Sequence, residues 1–193
     1  SSWQAETPTG AACDHRIIMG TLDGRLVAVD ARDGKPCADF GDKGHVSLRE
    51  GLGEFAEQEY SVTSPPAILG DRIITGAMVL DRTHNHMPSG VVRAYNVRTG
   101  ALEWFWDPIP PGQQPQFDAE GKPVFRRGTT NVWSVISVDP ERNLVFLPTG
   151  NTSTDFFGGL RDNMDYYSSS VVALKGDTGE LAWHFQMVHH DVW

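Results

Sequence analysis

Val171-Val-Ala-Leu-Lys-Gly-Asp-Thr-Gly179, followed four residues later by Trp183, is the stretch on which the fold turns. It reads as an apolar strand containing a small residue, a polar turn closed by glycine, and a second strand carrying a tryptophan. The same pattern recurs in Val92-Arg-Ala-Tyr-Asn-Val-Arg-Thr-Gly100, with Trp104 in the equivalent place. A third copy, Leu26-Val-Ala-Val-Asp-Ala-Arg-Asp-Gly34, is degenerate, because Ala38 stands where the tryptophan would be. Asp33-Gly34 is itself a strong hairpin signal. No segment sustains a helical period. Repeated small antiparallel sheets with a recurrent tryptophan are the mark of propeller blades. Three copies give about three blades, fewer than the 4–8 that close a ring, so the chain reads as a piece of a longer all-β protein.

Between the second and third copies lies Gly128 to Gly159. Trp133-Ser-Val-Ile-Ser-Val138 alternates large apolar and small residues, as a half-buried strand does. Asp139-Pro-Glu-Arg-Asn143 carries turn chemistry, and Leu144-Val-Phe-Leu147 is a second short strand. The expected hairpin brings Trp133 and Asn151, at its two outer ends, close together. A flat aromatic face beside an amide oxygen suits a flat polar cofactor and a cation. Taken singly, each residue has an ordinary alternative: Trp133 as core, Asn151 as a turn residue.

The remaining segments are expected as follows. Residues 1–14 and 41–60 are loops. Strands cover 16–20, 25–30, 71–79, 91–95 and 101–106, and Pro65 and Pro66 sit in an edge strand. Residues 81–90 form a polar loop with solvated His84 and His86. Residues 107–127, rich in Pro, Gly and Gln, form an exposed insertion. Residues 161–167 are a helical turn or a loop.

Composition bounds the function. With 193 residues, 39% hydrophobic and 21% charged, the chain can bury a substantial core. A net charge of −9 argues against a nucleic-acid surface, which needs basic patches. No apolar run approaches the roughly 20 residues of a membrane span. Cys13 and Cys37 are too few for a disulfide framework and lack metal-ligand spacing. They form one disulfide in an oxidising compartment or stay as two buried thiols.

The repeats resemble the tryptophan-docking motifs of the quinoprotein dehydrogenases, eight-bladed propellers that bind pyrroloquinoline quinone (PQQ). Gly20-Thr-Leu-Asp-Gly-Arg-Leu-Val-Ala-Val-Asp30, Met87-Pro-Ser-Gly-Val-Val-Arg-Ala-Tyr95, Leu147-Pro-Thr-Gly-Asn151 and Val188-His-His-Asp-Val-Trp193 are most similar to the membrane-bound glucose, quinate and shikimate branch. The resemblance implies one partial propeller domain over 1–193, with blade repeats near 15–40, 62–106 and 131–187. It implies that Trp133 is the floor under PQQ and that Thr63 bonds the carboxylate edge of the quinone. It makes Asp81 and Asn151 ligands of Ca2+ or Mg2+.

The catalytic Asp of the family would follow Trp193 directly, so none is assigned within the chain. The arginines that clamp the quinone also fall outside it, and the isolated segment is expected to be inactive. The paired adjacent cysteines of the alcohol-dehydrogenase branch are absent. His189 and His190 are expected at the rim.

The implied activity is oxidation of a sugar or cyclic polyol hydroxyl by hydride transfer to PQQ, with a membrane quinone as electron acceptor. The implied setting is the periplasm, any membrane anchor lying upstream. The rivals are a non-catalytic propeller that binds proteins and a PQQ alcohol dehydrogenase.

Overall fold

The computed structural model describes residues 1–80 and 82–192, and every regular element among them is a β-strand or a short 3-10 turn. Strands β1 (Ser2–Gln4), β2 (His15–Gly20), β3 (Arg25–Asp30) and β4 (His45–Ser47) form a first antiparallel sheet in that order. β5 (Tyr60–Ser61) pairs with β8 (Met78–Val79) in a small clip. Between them run β6 (Ala67–Leu69) and β7 (Arg72–Thr75), which join β9 (Val92–Asn96) and β10 (Leu102–Trp106) in a second sheet ordered β10-β9-β7-β6. A hairpin of β11 (Gln116–Phe117) and β12 (Pro123–Val124) follows. The third sheet is β13 (Ser137–Asp139), β14 (Leu144–Pro148), β15 (Ser170–Lys175) and β16 (Leu181–Gln186).

The repeat explains how successive sheets dock. Its apolar run is β3, β9 or β15, and its glycine closes the turn into the next segment. Trp104, on β10, is buried and its indole N–H donates to the Gly176 carbonyl of the third sheet at 3.0 Å. Gly179 lies under that ring: a Cβ there would come within 2.5 Å of it, and φ is +70°, so only glycine serves both the turn and the contact. In the degenerate first copy the contact is rebuilt without an aromatic ring. Val46 packs against Gly100, and the Gly41 amide donates to the Thr99 carbonyl at 2.9 Å. Arg93, buried on β9, reinforces this interface by donating to the carbonyls of Leu48 and Glu50 and stacking on Phe125 at 4.6 Å. Two cores result, one around Ile18, Leu26, Tyr60 and Ile73, the other around Ile74, Trp106, Val145 and Leu174. Trp183 differs from Trp104: it is 45% exposed beside Phe146, on a face it shares with exposed Phe185.

Several expectations are corrected. Residues 1–14 contain β1, held because Trp3 is buried and its indole donates to Asp71 at 3.0 Å. Three residues are too few for an alternating pattern to show. Residues 41–60 likewise contain β4. The 71–79 strand breaks at Gly76, where the Val132 carbonyl passes 2.3 Å from the position of a Cβ. Pro65 and Pro66 precede β6, which starts at Ala67. The strand expected from Trp133 begins only at Ser137, and the Trp133 carbonyl accepts from the Ser64 and Thr63 hydroxyls instead of from a ladder partner. Residues 107–127 are anchored: Phe125 is buried against Phe105, and its amide donates to the Gly51 carbonyl at 2.9 Å. In the 161–167 segment, Met164–Tyr167 is a 3-10 turn. Cys13 and Cys37 are disulfide-bonded, with Cα atoms 5.8 Å apart.

Candidate functional site

The run Thr129-Thr130-Asn131-Val132 is polar in sequence yet almost wholly buried. It threads between glycines: a Cβ on Gly90 would lie 1.8 Å from the Thr130 carbonyl oxygen. Its own groups hold it there. Gly90 N–H donates to Thr129 Oγ1 at 2.9 Å, Thr130 Oγ1 donates to the Gly150 carbonyl at 2.5 Å, and Gly150 N–H donates to the Asn131 carbonyl at 2.8 Å. The run ends at Trp133, whose carbonyl accepts from Ser64 Oγ at 2.6 Å and Thr63 Oγ1 at 3.2 Å.

Anchored this way, Trp133 remains 52% exposed. Its indole nitrogen lies 3.2 Å from where a Cβ on Gly150 would be, so the ring stands directly beside the residue that precedes Asn151. Trp133 and Asn151 are thus brought together, through the contact of the 128–133 run with Gly150 as well as through the β13–β14 hairpin. Asn151 Oδ1 is 3.0 Å from Ser169 Oγ. Thr63 lines the same narrow crevice as Trp133, with its hydroxyl on the tryptophan carbonyl. Asp81 lies outside the described residues.

Asn131 was not singled out in the sequence. It is 1% exposed, and among the described residues neither its Oδ1 nor its Nδ2 has a hydrogen-bond partner. Its Oδ1 is 3.6 Å from the Cβ position on Gly150, at the site itself. Leaving a buried amide unpaired costs on the order of 1–3 kcal/mol. A donor and an acceptor held open at this cost, beside an exposed aromatic ring, fit the edge of a flat polar cofactor such as PQQ. Oxygen donors on an Asn and an Asp fit a hard cation.

Other candidate clusters lie elsewhere. Cys13, Cys37 and Asp39 are the group of His, Cys, Asp or Glu side chains close enough to share a metal among the described residues, but the two sulfurs are bonded to each other. His84 is exposed and faces Glu59 at 3.1 Å. His190 Nδ1 is 2.7 Å from Asp165 Oδ2. A large hollow, about 780 Å3, is lined by residues that include His45, Tyr95, Leu102 and Phe125 and contains none of the site residues. Its size reflects the gap under the β11–β12 hairpin, and the chemistry of Trp133, Asn131 and Asn151 outweighs it. Asp107 is buried, with its carboxyl pushed up to about 6 by burial, against the opposing donors Arg126 N–H and Ser89 Oγ.

Three blade-like sheets docked in series, by Trp104 on one side and by Val46, Gly41 and Arg93 on the other, make a segment of a β-propeller. The chain belongs to the PQQ glucose/ethanol/alcohol dehydrogenase β-propeller domain family, which matches residues 1–193. It is 43% identical over 183 residues to the quinate/shikimate dehydrogenase (quinone) of Acinetobacter baylyi, a match covering 94% of this chain and 22% of that protein. It is 40% identical over 190 residues to the glycerol dehydrogenase large subunit of Gluconobacter oxydans, covering 98% of this chain and 25% of the relative. The quinohemoprotein alcohol dehydrogenase of Comamonas testosteroni has the same fold, with a TM-score of 0.71 at 25% identity over 92% of this chain and 27% of that one. The chain spans about a quarter of the length of the curated relatives it matches.

Proposed function

We propose that the full-length protein carrying this chain is a PQQ-dependent dehydrogenase that oxidises a hydroxyl of a sugar or cyclic polyol and passes electrons to a quinone acceptor. The observation that carries the reading is the pairing of an open Trp133 ring with the buried Asn131 amide, which has no partner among the described residues, beside Gly150 and Asn151. A propeller serving only as a protein scaffold has no use for an open indole set beside such an amide.

In this reading PQQ supplies the hydride-accepting carbonyl, and a bound divalent cation, Ca2+ or Mg2+, supplies Lewis acidity. Trp133 offers its flat face as the floor and excludes water from that side. Asn131 offers one donor and one acceptor to the polar edge. Asn151 and Asp81 supply oxygen ligands to the cation. The Ser64 hydroxyl holds the Trp133 carbonyl, so Thr63 can turn its own hydroxyl towards a carboxylate edge without loosening the floor. Polyol and alcohol substrates both fit this family, and the relatives named quinate/shikimate and glycerol dehydrogenase favour the polyol.

The Cys13–Cys37 disulfide supports an oxidising compartment such as the periplasm. Among the described residues no helix is long and apolar enough to cross a membrane.

Dye-linked oxidation by the full-length protein, reconstituted with PQQ and Ca2+ or Mg2+, tests the proposal. Turnover of quinate, glucose or glycerol in preference to ethanol is expected. Ethanol as the preferred substrate would move the protein to the alcohol branch, and no PQQ-dependent turnover of any of these would favour the scaffold.

A further inference from the structure

A hydroxyl on the third sheet decides which way the Asn151 amide faces. Ser169 Oγ lies 2.6 Å from Asp191 Oδ2 and 3.0 Å from the side-chain atom of Asn151 assigned as oxygen. A serine hydroxyl has one proton to donate, and a carboxylate only accepts. The shorter contact has the length of a charge-assisted O–H···O⁻ bond, so the proton lies on the line to Asp191. Ser169 Oγ can then only accept from Asn151, which requires the amide nitrogen to face it. The oxygen and nitrogen of an asparagine are assigned from the hydrogen-bond network, and this network places Nδ2 at Ser169. Oδ1 then occupies the other amide position, where no hydrogen bond forms within the described residues.

The surroundings of the relay keep it in place. Buried Arg161 donates to the Asp191 carbonyl at 2.5 Å, and through its other nitrogens to the carbonyls of Thr154 and Asp155. Ser169 N–H donates to the Gly150 carbonyl at 3.0 Å. Ser169 also adopts φ +47°, a left-handed conformation that costs a non-glycine residue of order 1 kcal/mol or more. Glycine would occupy this position without that strain, so what serine adds there is its hydroxyl.

We propose that Ser169 and Asp191 are positioning residues. By accepting from Asn151 Nδ2, the Asp191-to-Ser169 relay turns Asn151 Oδ1 away from Ser169 and presents it as the oxygen donor to the cation. This rests on the reading of Asn151 as a cation ligand. Partners of this kind, which orient a metal ligand, typically affect metal affinity 10–100-fold.

The test is the Ca2+ concentration at half-saturation in the full-length protein at fixed PQQ, followed by quenching of tryptophan fluorescence. Ser169→Gly removes the hydroxyl and relieves the backbone, so its thermal midpoint is expected to hold or rise. Its Ca2+ midpoint is expected to rise about 10-fold or more. In an Asn151→Asp background either oxygen can face the cation, so adding Ser169→Gly should change the midpoint less than about 2-fold. Equal effects of Ser169→Gly in the two backgrounds, or none in the first, would overturn the relay while Asn151→Ala still weakens Ca2+ binding. If Asn151→Ala leaves the Ca2+ midpoint unchanged, the ligand reading itself falls, and the relay with it.

Discussion

At the residue scale, two buried polar side chains are informative, one at the site and one away from it. Asn131 is one, with both amide atoms unpaired among the described residues. Asp107 is another, at the start of the loop that crosses to Arg126. Its folded-state carboxyl sits at about 6, raised by burial from an ordinary 3.8. The folded protein therefore holds this proton more tightly than the unfolded chain does. The stability it contributes is fully present below pH 4 and is lost as pH rises through 6. Asp107→Asn can keep an oxygen for the Arg126 N–H and turn its amide nitrogen to Ser89 Oγ, an atom that also accepts. The variant is expected to match the parent below pH 4 and to be more stable above pH 6, by on the order of 2–3 kcal/mol at most. Thermal midpoints of the two full-length proteins from pH 4 to 8 check this. A difference that does not vary with pH would contradict it.

At the element scale, the repeat works as a joint between sheets. Trp104 delivers a buried ring and one hydrogen bond to the turn at 176–179, and Gly179 makes the room for it. Trp104→Ala in the full-length protein is expected to cost about 3–5 kcal/mol, the range for large-to-small changes of a buried aromatic. A marked fall in the thermal midpoint would show it, and an unchanged midpoint would mean that this joint bears little of the stability. Trp183 holds the same place in its repeat with its ring 45% exposed, on an apolar face that includes Phe146 and Phe185. The structure thus shows the tryptophan joint once, between the second and third sheets. Between the first and second, Val46, Gly41 and Arg93 do the same work with different chemistry.

At the scale of the whole molecule, the all-β class was legible because the three repeats carry their turns at fixed offsets, two of them with a tryptophan four residues on. The proximity of Trp133 and Asn151 was also legible, since hairpin geometry required it. What the sequence hid has specific physical causes. Short strands such as β1 and β4 are defined by pairing partners far away in the chain and carry no periodic signal of their own. The split at Gly76 follows from the Val132 carbonyl passing close by, a tertiary contact that no local pattern records. Asn131 looked like part of a polar loop because burial, the property that makes its amide notable, appears only when Gly90 and Gly150 close around it. The role of Ser169 depends on a proton shared among three side chains that sequence keeps 18 to 40 residues apart.

The central claim is that the open face of Trp133, bounded by Asn131 and Asn151, is where PQQ lies. Its most direct test is the dissociation constant of PQQ for the full-length protein at saturating Ca2+, compared between the parent and Trp133→Ala by equilibrium dialysis. Loss of a stacking face of this size is expected to weaken binding by roughly 10-fold or more, since an aromatic contact contributes on the order of 1.5 kcal/mol beyond the area it buries. An unchanged dissociation constant in a Trp133→Ala protein that keeps its thermal midpoint would contradict the account.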